Sequence, residues 1–313
     1  MPGGGRNRSW KTRADMLTDC KRVQGLKTPL KKPGAHPPRT LLKIRNVDSR
    51  MPRFFFLTDP HLITDSLLPF GENAKFDTVA SLTHTVEAMQ QLNADFAVVG
   101  GDLASPDMQD CSREWHSEEF DASYKALQEQ LRRLPFPVHA ILGNHDNRDA
   151  FHRVFGTRGR CAEGRHYYSF DVGPVHFVAL DSLARGKASG DLGVAQLQWL
   201  QADLQSRRHQ RTVLFLHHHP WPVGIRWLDE VGLADGKGLQ AILAENSQVS
   251  EIFCGHAHLE HTSRRGHQTL FITPSTSFQL SPSSQNMELS KTGPAFRWVD
   301  IKEDTLSTSV IWL

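Results

Sequence analysis

Clusters of aspartate, histidine and asparagine follow five short apolar runs of this chain. The clusters contain Asp59 and His61; Asp102; Asn144, His145 and Asp146; His217, His218 and His219; and His256 and His258. Carboxylate, imidazole and amide groups supply the oxygen and nitrogen ligands that suit Mn²⁺, Fe or Zn²⁺, and no cysteine pair of a structural zinc site accompanies them. Histidine also exchanges protons near neutral pH. The residue types therefore indicate chemistry at a metal site.

Each cluster taken alone also has a structural explanation. Gly143-Asn144-His145-Asp146 could be an Asx turn that caps the next helix, and the cluster at Asp59 could be the same kind of turn. The three consecutive histidines could be core or surface residues. Gly255-His256-Ala257-His258 is a stronger signal, because alternate residues of an extended segment project to the same side. The occurrence of all five clusters in one chain favours metal binding.

The elements that must position these clusters are predicted from hydrophobic patterns. Strands are expected at 54–58, 94–99, 137–142, 212–216 and 249–254, each directly before a cluster. Helical spacing of apolar residues is found at 76–89, 118–133, 197–204 and 237–245. Alternation of strand and helix predicts parallel βαβ units. Because ligands of such sheets bind beyond the carboxyl ends of the strands, the five clusters are expected to meet at one edge.

The pattern changes after residue 165. Segments 167–172 and 175–180 are joined by Gly173-Pro174, which predicts a hairpin. From about residue 260 to 313, short alternating segments predict a second, antiparallel sheet. No internal repeat or linker follows residue 51, so residues 52–313 are predicted to form one domain.

The charge of the chain is divided unevenly along its length. Residues 1–50 hold 13 Lys and Arg and three acidic residues, whereas the remaining residues hold 23 and 31. The predicted domain is therefore mildly acidic, which argues against nucleic acid as a partner. No apolar run approaches the roughly 20 residues of a membrane span. The four cysteines are widely spaced and include no Cys-x-x-Cys pair, which favours a reducing, cytoplasmic location.

Residues 1–50 are predicted to be a disordered, basic extension. They contain Gly3-Gly4-Gly5, Lys31-Lys32-Pro33 and Pro37-Pro38, and apolar residues are sparse. A targeting peptide fits the Arg-rich, acid-poor composition, although the prolines interrupt an amphipathic helix. An arm that binds a polyanion is a second interpretation. The simplest is that the native protein starts at Met51, directly before the first strand.

The number of potential ligands bears on the number of ions. Asp59, His61, Asp102, Asn144, one histidine of the triple, His256 and His258 are too many ligands for one four-coordinate ion. They suit two ions that share a bridging carboxylate. Two ions about 3.5–4 Å apart clamp the attacking and leaving oxygens of an in-line displacement at phosphorus. A phosphate ester is therefore the favoured class of substrate.

In this order, the five clusters resemble the motifs of the calcineurin-like metallophosphoesterases, and the resemblance covers residues 52–313. It implies an α/β fold of two stacked mixed β-sheets flanked by helices, in four αββα layers. Within the family, the chain resembles the bacterial 3′,5′-cyclic-AMP phosphodiesterases. The segments that carry this narrower resemblance are 217–224, Trp227-Leu228-Asp229, 273–277 and Gly293-Pro294-Ala295-Phe296-Arg297.

The resemblance implies a role for each matching residue. One metal would be held by Asp59, His61 and His258, and the other by Asn144, His256 and one histidine of the triple, with Asp102 as the bridge. The first histidine of the family's pair is the ligand, which gives His217. A shift of one residue would give His218, whose side chain should point the other way in an extended segment.

The implied reaction is hydrolysis of 3′,5′-cyclic AMP to 5′-AMP by in-line attack of a metal-bridging hydroxide. His145 would contact a phosphate oxygen or protonate the leaving alkoxide, and Asp146 would orient this region. The implied substrate-binding residues are Asn144, His145 and Arg297. Further candidates from the subfamily segments are Trp221, Trp227, Ser275 and Thr276.

Two alternatives remain at this point. A related enzyme would act on glycerophosphodiesters or other small diesters. A non-catalytic scaffold on the same fold would lack metal ligands, and all seven are present here. A nuclease is disfavoured by the acidic charge of the predicted domain.

Overall fold

The computed structural model describes residues 50–70, 74–106, 116–161, 163–283 and 286–313. The predicted extension, with the question of a start at Met51, lies outside the described residues except for Arg50 at its end. The strands are β1 (Arg53–Leu57), β2 (Leu68–Phe70), β3 (Ala74–Phe76), β4 (Phe96–Gly100), β5 (Val138–Ile141), β6 (Tyr168–Val172), β7 (Val175–Ala179), β8 (Thr212–Phe215), β9 (Val249–Cys254), β10 (His261–Arg265), β11 (Gln268–Ile272), β12 (Ala295–Ile301) and β13 (Leu306–Trp312).

Six α-helices accompany the strands within the described ranges. They are α1 (Thr78–Gln90), α2 (Asp121–Leu131), α3 (Arg148–Phe155), α4 (Gly193–Ser206), α5 (Arg226–Asp229) and α6 (Gly236–Glu245), and a 3₁₀ turn (Ser117–Phe120) leads into α2. The hairpin β2–β3 and helices α3 and α5 were not predicted. Among the described helices, none combines the length and the hydropathy that crossing a bilayer requires.

Two mixed sheets form the centre of the fold. The first has the strand order β13-β12-β1-β4-β5, and the second has the order β10-β11-β9-β8-β7-β6. Strands β1, β4 and β5 are parallel, as are β7, β8 and β9. The predicted βαβ units, the hairpin β6–β7 and the fold class of two mixed sheets with flanking helices are confirmed.

The prediction for the end of the chain was wrong. Residues 260–313 do not form a sheet of their own, because β10 and β11 extend the second sheet and β12 and β13 extend the first. Strand β11 pairs parallel to β9, whereas β12 pairs antiparallel to β1. Alternation of buried and exposed residues identifies a strand, but it does not determine which distant strand becomes its partner.

Strand β1 shows how the layers hold the site. Phe54 and Phe56 are buried between the two sheets, where they contact rings of both, while Phe55 and Leu57 face the layer of α1 and α2. Complete burial of each such side chain contributes about 1.5–3 kcal/mol to folding. Because β1 is packed on both faces, its end is rigid. Thr58 and Asp59, which follow directly, are therefore held in a fixed position.

Candidate metal centre

The five clusters follow β1, β4, β5, β8 and β9, and the structure brings their side chains together at the carboxyl ends of these strands. Three groups of potential ligand atoms have all members within 4.8 Å of one another. They are Asp59, His61 and His258; Asp59, Asp102 and His217; and His217, His218 and His256. The groups share members, so they form one continuous centre.

Asp59 lies at one side of this centre. Its Oδ1 is 3.3 Å from Nε2 of His258 and 3.9 Å from Nε2 of His61. The two histidine Nε2 atoms face each other at 3.0 Å. All three side chains are almost completely buried. Two imidazole nitrogens that face each other beside a buried carboxylate can bind a cation, because each of the three groups can donate a lone pair to the ion.

Asp102 lies between the two sides. Its Oδ2 is 3.2 Å from Nε2 of His217 and 3.7 Å from Nε2 of His61, while its Oδ1 accepts the backbone N–H of His145 at 2.8 Å. Burial raises the pKa of Asp102, but His217 and His145 outweigh it and hold the pKa well below its usual value. The group is therefore an ionised carboxylate next to ligands of both sides, which fits a bridging position.

The other side contains three buried atoms that lack hydrogen-bond partners among the described residues. They are Oδ1 of Asn144, Nε2 of His217 and Nε2 of His256. A buried acceptor left unpaired costs about 1–3 kcal/mol. A metal ion bound by His217 and His256, whose ligand atoms lie within 4.8 Å of each other, would offset part of that cost, so the donor set of this side also fits a cation.

Hydrogen bonds from Nδ1 fix the ring orientation of two histidines. Nδ1–H of His217 donates to the carbonyl of Gly100 at 2.8 Å, and Nδ1–H of His258 donates to the carbonyl of Phe278 at 2.9 Å. These bonds leave the lone pair of each Nε2 directed into the centre, which is the arrangement that metal-binding histidines adopt. Burial lowers the pKa of His217, but Asp102 and Asp59 raise it to about 9, which reflects the negative field that would attract a cation.

Backbone strain is concentrated at the same residues. In the described part of the chain, the non-glycine residues with positive φ are Asp59, His61, Asp102, His256 and His258, with φ between 43° and 69°. Each such conformation costs on the order of 1–3 kcal/mol and persists only where the surroundings enforce it. Backbone bonds from Asp59 N–H to Gly101 and from His61 N–H to Asp102 hold two of these loops together.

Gly143 begins a turn, since the backbone N–H of Asp146 donates to its carbonyl at 3.2 Å. Its φ is not positive, so the backbone conformation does not require glycine. A Cβ at this position would lie 2.2 Å from Oδ1 of Asp102 and 2.7 Å from Nε2 of His217. Glycine is needed here because the chain passes directly against two potential ligands.

The comparison with known proteins agrees with this geometry. Residues 52–260 match the calcineurin-like phosphoesterases. The chain belongs to that family. It is similar to the 3′,5′-cyclic adenosine monophosphate phosphodiesterase CpdA of Escherichia coli (strain K12), with 30% identity over 264 residues, which cover 82% of this chain and 88% of that protein. The enzyme of the same name from Pseudomonas aeruginosa is 31% identical over 253 residues, 79% of this chain and 85% of that protein.

Other similarities are more limited. A probable glycerophosphodiester phosphodiesterase, GpdQ of Arcobacter nitrofigilis, is 31% identical over 160 residues, 50% of this chain and 59% of that protein. A dimetal phosphatase from Danio rerio has a TM-score of 0.61 at 15% identity and covers 84% of this chain and 99% of its own, which shows the shared fold. As a family member with these relatives, the protein is a metal-dependent phosphodiesterase.

The register of the triple histidine in this phosphodiesterase can be read from hydrogen bonds. His218 uses both ring nitrogens: Nε2–H donates to the carbonyl of Ala188 at 3.0 Å, and Nδ1 pairs with the hydroxyl of Ser182 at 2.7 Å. Nε2 of His217 instead faces the carboxylates of Asp102 and Asp59, at 3.2 and 3.8 Å. The geometry therefore favours His217 as the ligand, although the ring of His218 packs 4.5 Å from that of His256.

This assignment predicts different metal contents for two variants. The His217→Gln protein is expected to lose one of two ions per chain. The His218→Gln protein is expected to keep both, with affinity reduced no more than about 10–100-fold, because Gln can still donate to Ala188. Elemental analysis after dialysis against limiting metal measures both. A His218 variant that loses an ion while the His217 variant keeps two would reverse the assignment.

His145 and Asp146 point to different surroundings. The His145 ring is half-buried, lies 5.1 Å from the His61 ring, and has no side-chain hydrogen bond within the described residues. Asp146 is buried and accepts bonds from the backbone N–H groups of Gly143 and Leu103 and from the hydroxyl of Tyr124. Burial, together with Asp102, raises the pKa of Asp146 to about 7. Asp146 therefore joins the loops of Asp102 and His145.

Arg297, predicted to contact substrate, makes its contacts within the fold. This side chain is 2% exposed and lies between the sheets, where its guanidinium donates to the Thr273 hydroxyl and the Ile272 carbonyl and lies over the Phe271 ring. These contacts join β12 to the end of β11. Arg297 is therefore a structural residue of this region, and the predicted substrate contact is not supported by its position.

Ser275 and Thr276 form hydrogen bonds to the backbone of the site. Both are buried, and the hydroxyl of Ser275 donates to the carbonyl of Asp59 at 2.8 Å, while Thr276 donates to the carbonyl of Thr58. They brace the strained loop that carries Asp59.

The carbonyls of Gly100 and Phe278, which accept the Nδ1–H groups of His217 and His258, were not predicted from the sequence, because any residue type has a backbone carbonyl.

Proposed function

We propose that this phosphodiesterase hydrolyses 3′,5′-cyclic AMP to 5′-AMP at a centre of two metal ions. The observation that carries the proposal is the meeting of six potential ligands in one centre, Asp59, His61, Asp102, His217, His256 and His258, next to the loop that carries the unpaired Oδ1 of Asn144. The similarity to two enzymes named for cyclic AMP, over about four fifths of this chain, supports the choice of substrate.

We assign one ion to Asp59, His61 and His258. The other is assigned to Asn144, His217 and His256. Asp102 is proposed as the shared ligand, and Mn²⁺, Fe and Zn²⁺ all suit this set of oxygen and nitrogen donors. When bound, such ions neutralise the anionic diester and make water a better nucleophile at neutral pH.

The protein's own residues position the substrate at this centre. The His145 ring, whose backbone is fixed by Asp102, would donate a hydrogen bond to a phosphate oxygen or a proton to the leaving ribose oxygen. If Oδ1 of Asn144 binds metal, its amide N–H₂ group remains as a second donor to the phosphate. Asp146 accepts the backbone N–H groups of Gly143 and Leu103, and so holds the loop of both residues next to the loop of Asp102.

A specificity panel tests the proposed substrate. With Mn²⁺ present, kcat/KM should be at least about 10-fold higher for cyclic AMP than for 2′,3′-cyclic AMP or glycerophosphodiesters, a difference of about 1.4 kcal/mol in transition-state stabilisation. Cyclic GMP distinguishes recognition of the base from recognition of the cyclic phosphate. The second candidate function is a glycerophosphodiesterase, which the partial similarity to GpdQ favours. A glycerophosphodiester that ranked above cyclic AMP would establish it instead.

A further inference from the structure

A buried ion pair joins the loop of Asn144 to the second sheet. Arg148, the first residue of α3, follows this loop directly. Its guanidinium donates from Nε to Oδ2 of Asp181 at 2.7 Å and from Nη2 to Oδ1 at 2.8 Å, and Nη2 also donates to the carbonyl of Leu183. The Asp181 side chain is fully buried, and that of Arg148 is 13% exposed. Two parallel hydrogen bonds of this kind fix the relative orientation of the partners as well as their distance.

Further hydrogen bonds fix Asp181 just beyond the end of β7, the neighbour of β8 in the second sheet. The backbone N–H groups of His166 and Leu183 donate to its carboxylate at 2.7 and 3.0 Å. The next residue, Ser182, pairs through its hydroxyl with Nδ1 of His218 at 2.7 Å. The segment that receives Arg148 is therefore also bonded to the histidines after β8.

The two proposed ions differ in how the loops around them are joined. The first, the Asp59 ion, is assigned to Asp59, His61 and His258. The loops that carry these residues are tied to each other directly, because the backbone N–H of His256 donates to the carboxylate of Asp59. Their relative position does not depend on Arg148.

The second, the Asn144 ion, is assigned to Asn144, His217 and His256. Asn144 follows β5, an edge strand of the first sheet, whereas the two histidines follow β8 and β9 of the second. Asp146 ties the loop of Asn144 to the loop after β4, which also belongs to the first sheet. The ion pair of Arg148 supplies a tie to the second sheet, where the histidines are.

We propose that Arg148 is a positioning residue for the Asn144 ion. Its ion pair with Asp181 holds the loop of Asn144 against the second sheet, so that Oδ1 of Asn144 and Nε2 of His217 can bind one ion. In this role Arg148 touches neither metal nor substrate. Loss of the pair weakens the Asn144 ion and leaves the Asp59 ion bound. The role rests on the proposed function, since it takes the centre to hold two ions.

Metal binding by the Arg148→Lys protein tests this role. Lysine keeps the charge but cannot form the two parallel bonds of a guanidinium. When the metal-free full-length protein is titrated with Mn²⁺ by calorimetry, the variant should bind one ion as the wild type does and the other about 10–100-fold more weakly, the usual effect of replacing a residue that orients a metal ligand. The Mn²⁺ concentration for half-maximal hydrolysis of cyclic AMP should rise by a similar factor, and kcat should recover at saturating Mn²⁺.

Two further proteins identify the affected ion and the affected contact. The His217→Gln protein is expected to lack the Asn144 ion, so adding Arg148→Lys to it should not change the affinity of the remaining ion. Asp181→Asn breaks the pair from the other side while keeping the size of the side chain, and it should reproduce the loss seen with Arg148→Lys. The result then does not depend on the folding of one variant.

Arg211→Lys is the matched control. Arg211 forms a similar pair with Glu251 and also donates to a backbone carbonyl, but it lies at the amino end of β8, away from the metal centre. Its replacement should lower the unfolding temperature about as much as Arg148→Lys does, yet leave both Mn²⁺ affinities unchanged.

Three results would overturn the role of Arg148. Unchanged affinity for both ions in Arg148→Lys and Asp181→Asn would show that the pair positions no ligand. A similar loss of metal in Arg211→Lys would reduce the pair to a general contribution to folding. Normal metal affinities with a higher KM for cyclic AMP would make Arg148 a substrate contact instead. Failure of the proposed function would look different, because the wild-type protein would then bind fewer than two ions or leave cyclic AMP intact.

Discussion

The Asp102→Ala protein is expected to lose both metal ions together and to fall more than about 100-fold in kcat/KM, since even residues that only support metal ligands change affinity or activity about 10–100-fold. The reason is the position of Oδ2 of Asp102, which lies within 3.7 Å of His61 on one side and 3.2 Å of His217 on the other. Loss of a carboxylate shared by two ions weakens both sites, whereas loss of a terminal ligand weakens one.

Metal content and stability must be measured separately in this variant. Alanine also removes the acceptor of the His145 backbone N–H, which is expected to cost about 1–3 kcal/mol of folding free energy. Asp102→Asn keeps the size of the side chain and an oxygen for that bond but removes the charge. It should unfold near the wild-type temperature and still bind metal poorly.

Asp300→Asn is the matched control for Asp102. Asp300 is also a largely buried carboxylate of the first sheet, but it pairs with Arg53 at the far end of β1. Its replacement should leave two ions per chain and normal turnover. An Asp102→Asn protein that retained both ions at wild-type affinity would contradict the bridging role, and Asp59, which also contacts two ligand groups, would then be the better candidate.

The positions of the potential ligands were predictable because they depend on a local rule. An apolar run such as 54–57 forms a buried parallel strand, and polar residues at its carboxyl end lie at the edge where ligands bind. The strands before Asp59, Asp102 and Asn144 follow this rule, as do those before His217 and His256. Within each sheet no long-range information was needed, since neighbouring parallel strands bring such ends together, but the meeting of the ends of β1, β4 and β5 with those of β8 and β9 depends on how the two sheets stack.

The features that could not be predicted depend on distant parts of the chain. Gly143 is required by the side chains of Asp102 and His217, which come from other strands, and not by its own φ. The direction of His258 depends on the carbonyl of Phe278, whose residue type is irrelevant to the bond. The burial of Arg297 could not be predicted either, because its motif does not reveal whether its side chain faces the space between the sheets. Sequence patterns thus predicted which potential ligands come together, but not the groups that orient them.

The His145→Ala protein is expected to keep both metal ions and to lose about 10²–10³-fold in kcat for cyclic AMP, the usual effect of removing one hydrogen-bond donor to charge that develops in the transition state. Its side chain has no hydrogen bond within the described residues, and its link to Asp102 runs through the backbone N–H, which alanine retains. The metal centre should therefore remain intact. His84→Ala, at an exposed position of α1, is the control and should be unchanged.

The loss of kcat on two substrates with different leaving groups distinguishes the two roles proposed for His145. Cyclic AMP expels an alkoxide that needs a proton, whereas bis(p-nitrophenyl) phosphate expels a weakly basic phenolate that does not. A general acid should therefore matter much less for the aryl diester, while a donor to a phosphate oxygen should matter about equally for both. Burial, with His217 and His258, lowers the pKa of His145 despite Asp102, which favours the neutral ring and the second role. Similar losses in kcat on both substrates are thus expected.

Unchanged kcat in a metal-loaded His145→Ala protein would show that His145 takes no part in the reaction. The amide of Asn144 would then be the remaining donor from this loop.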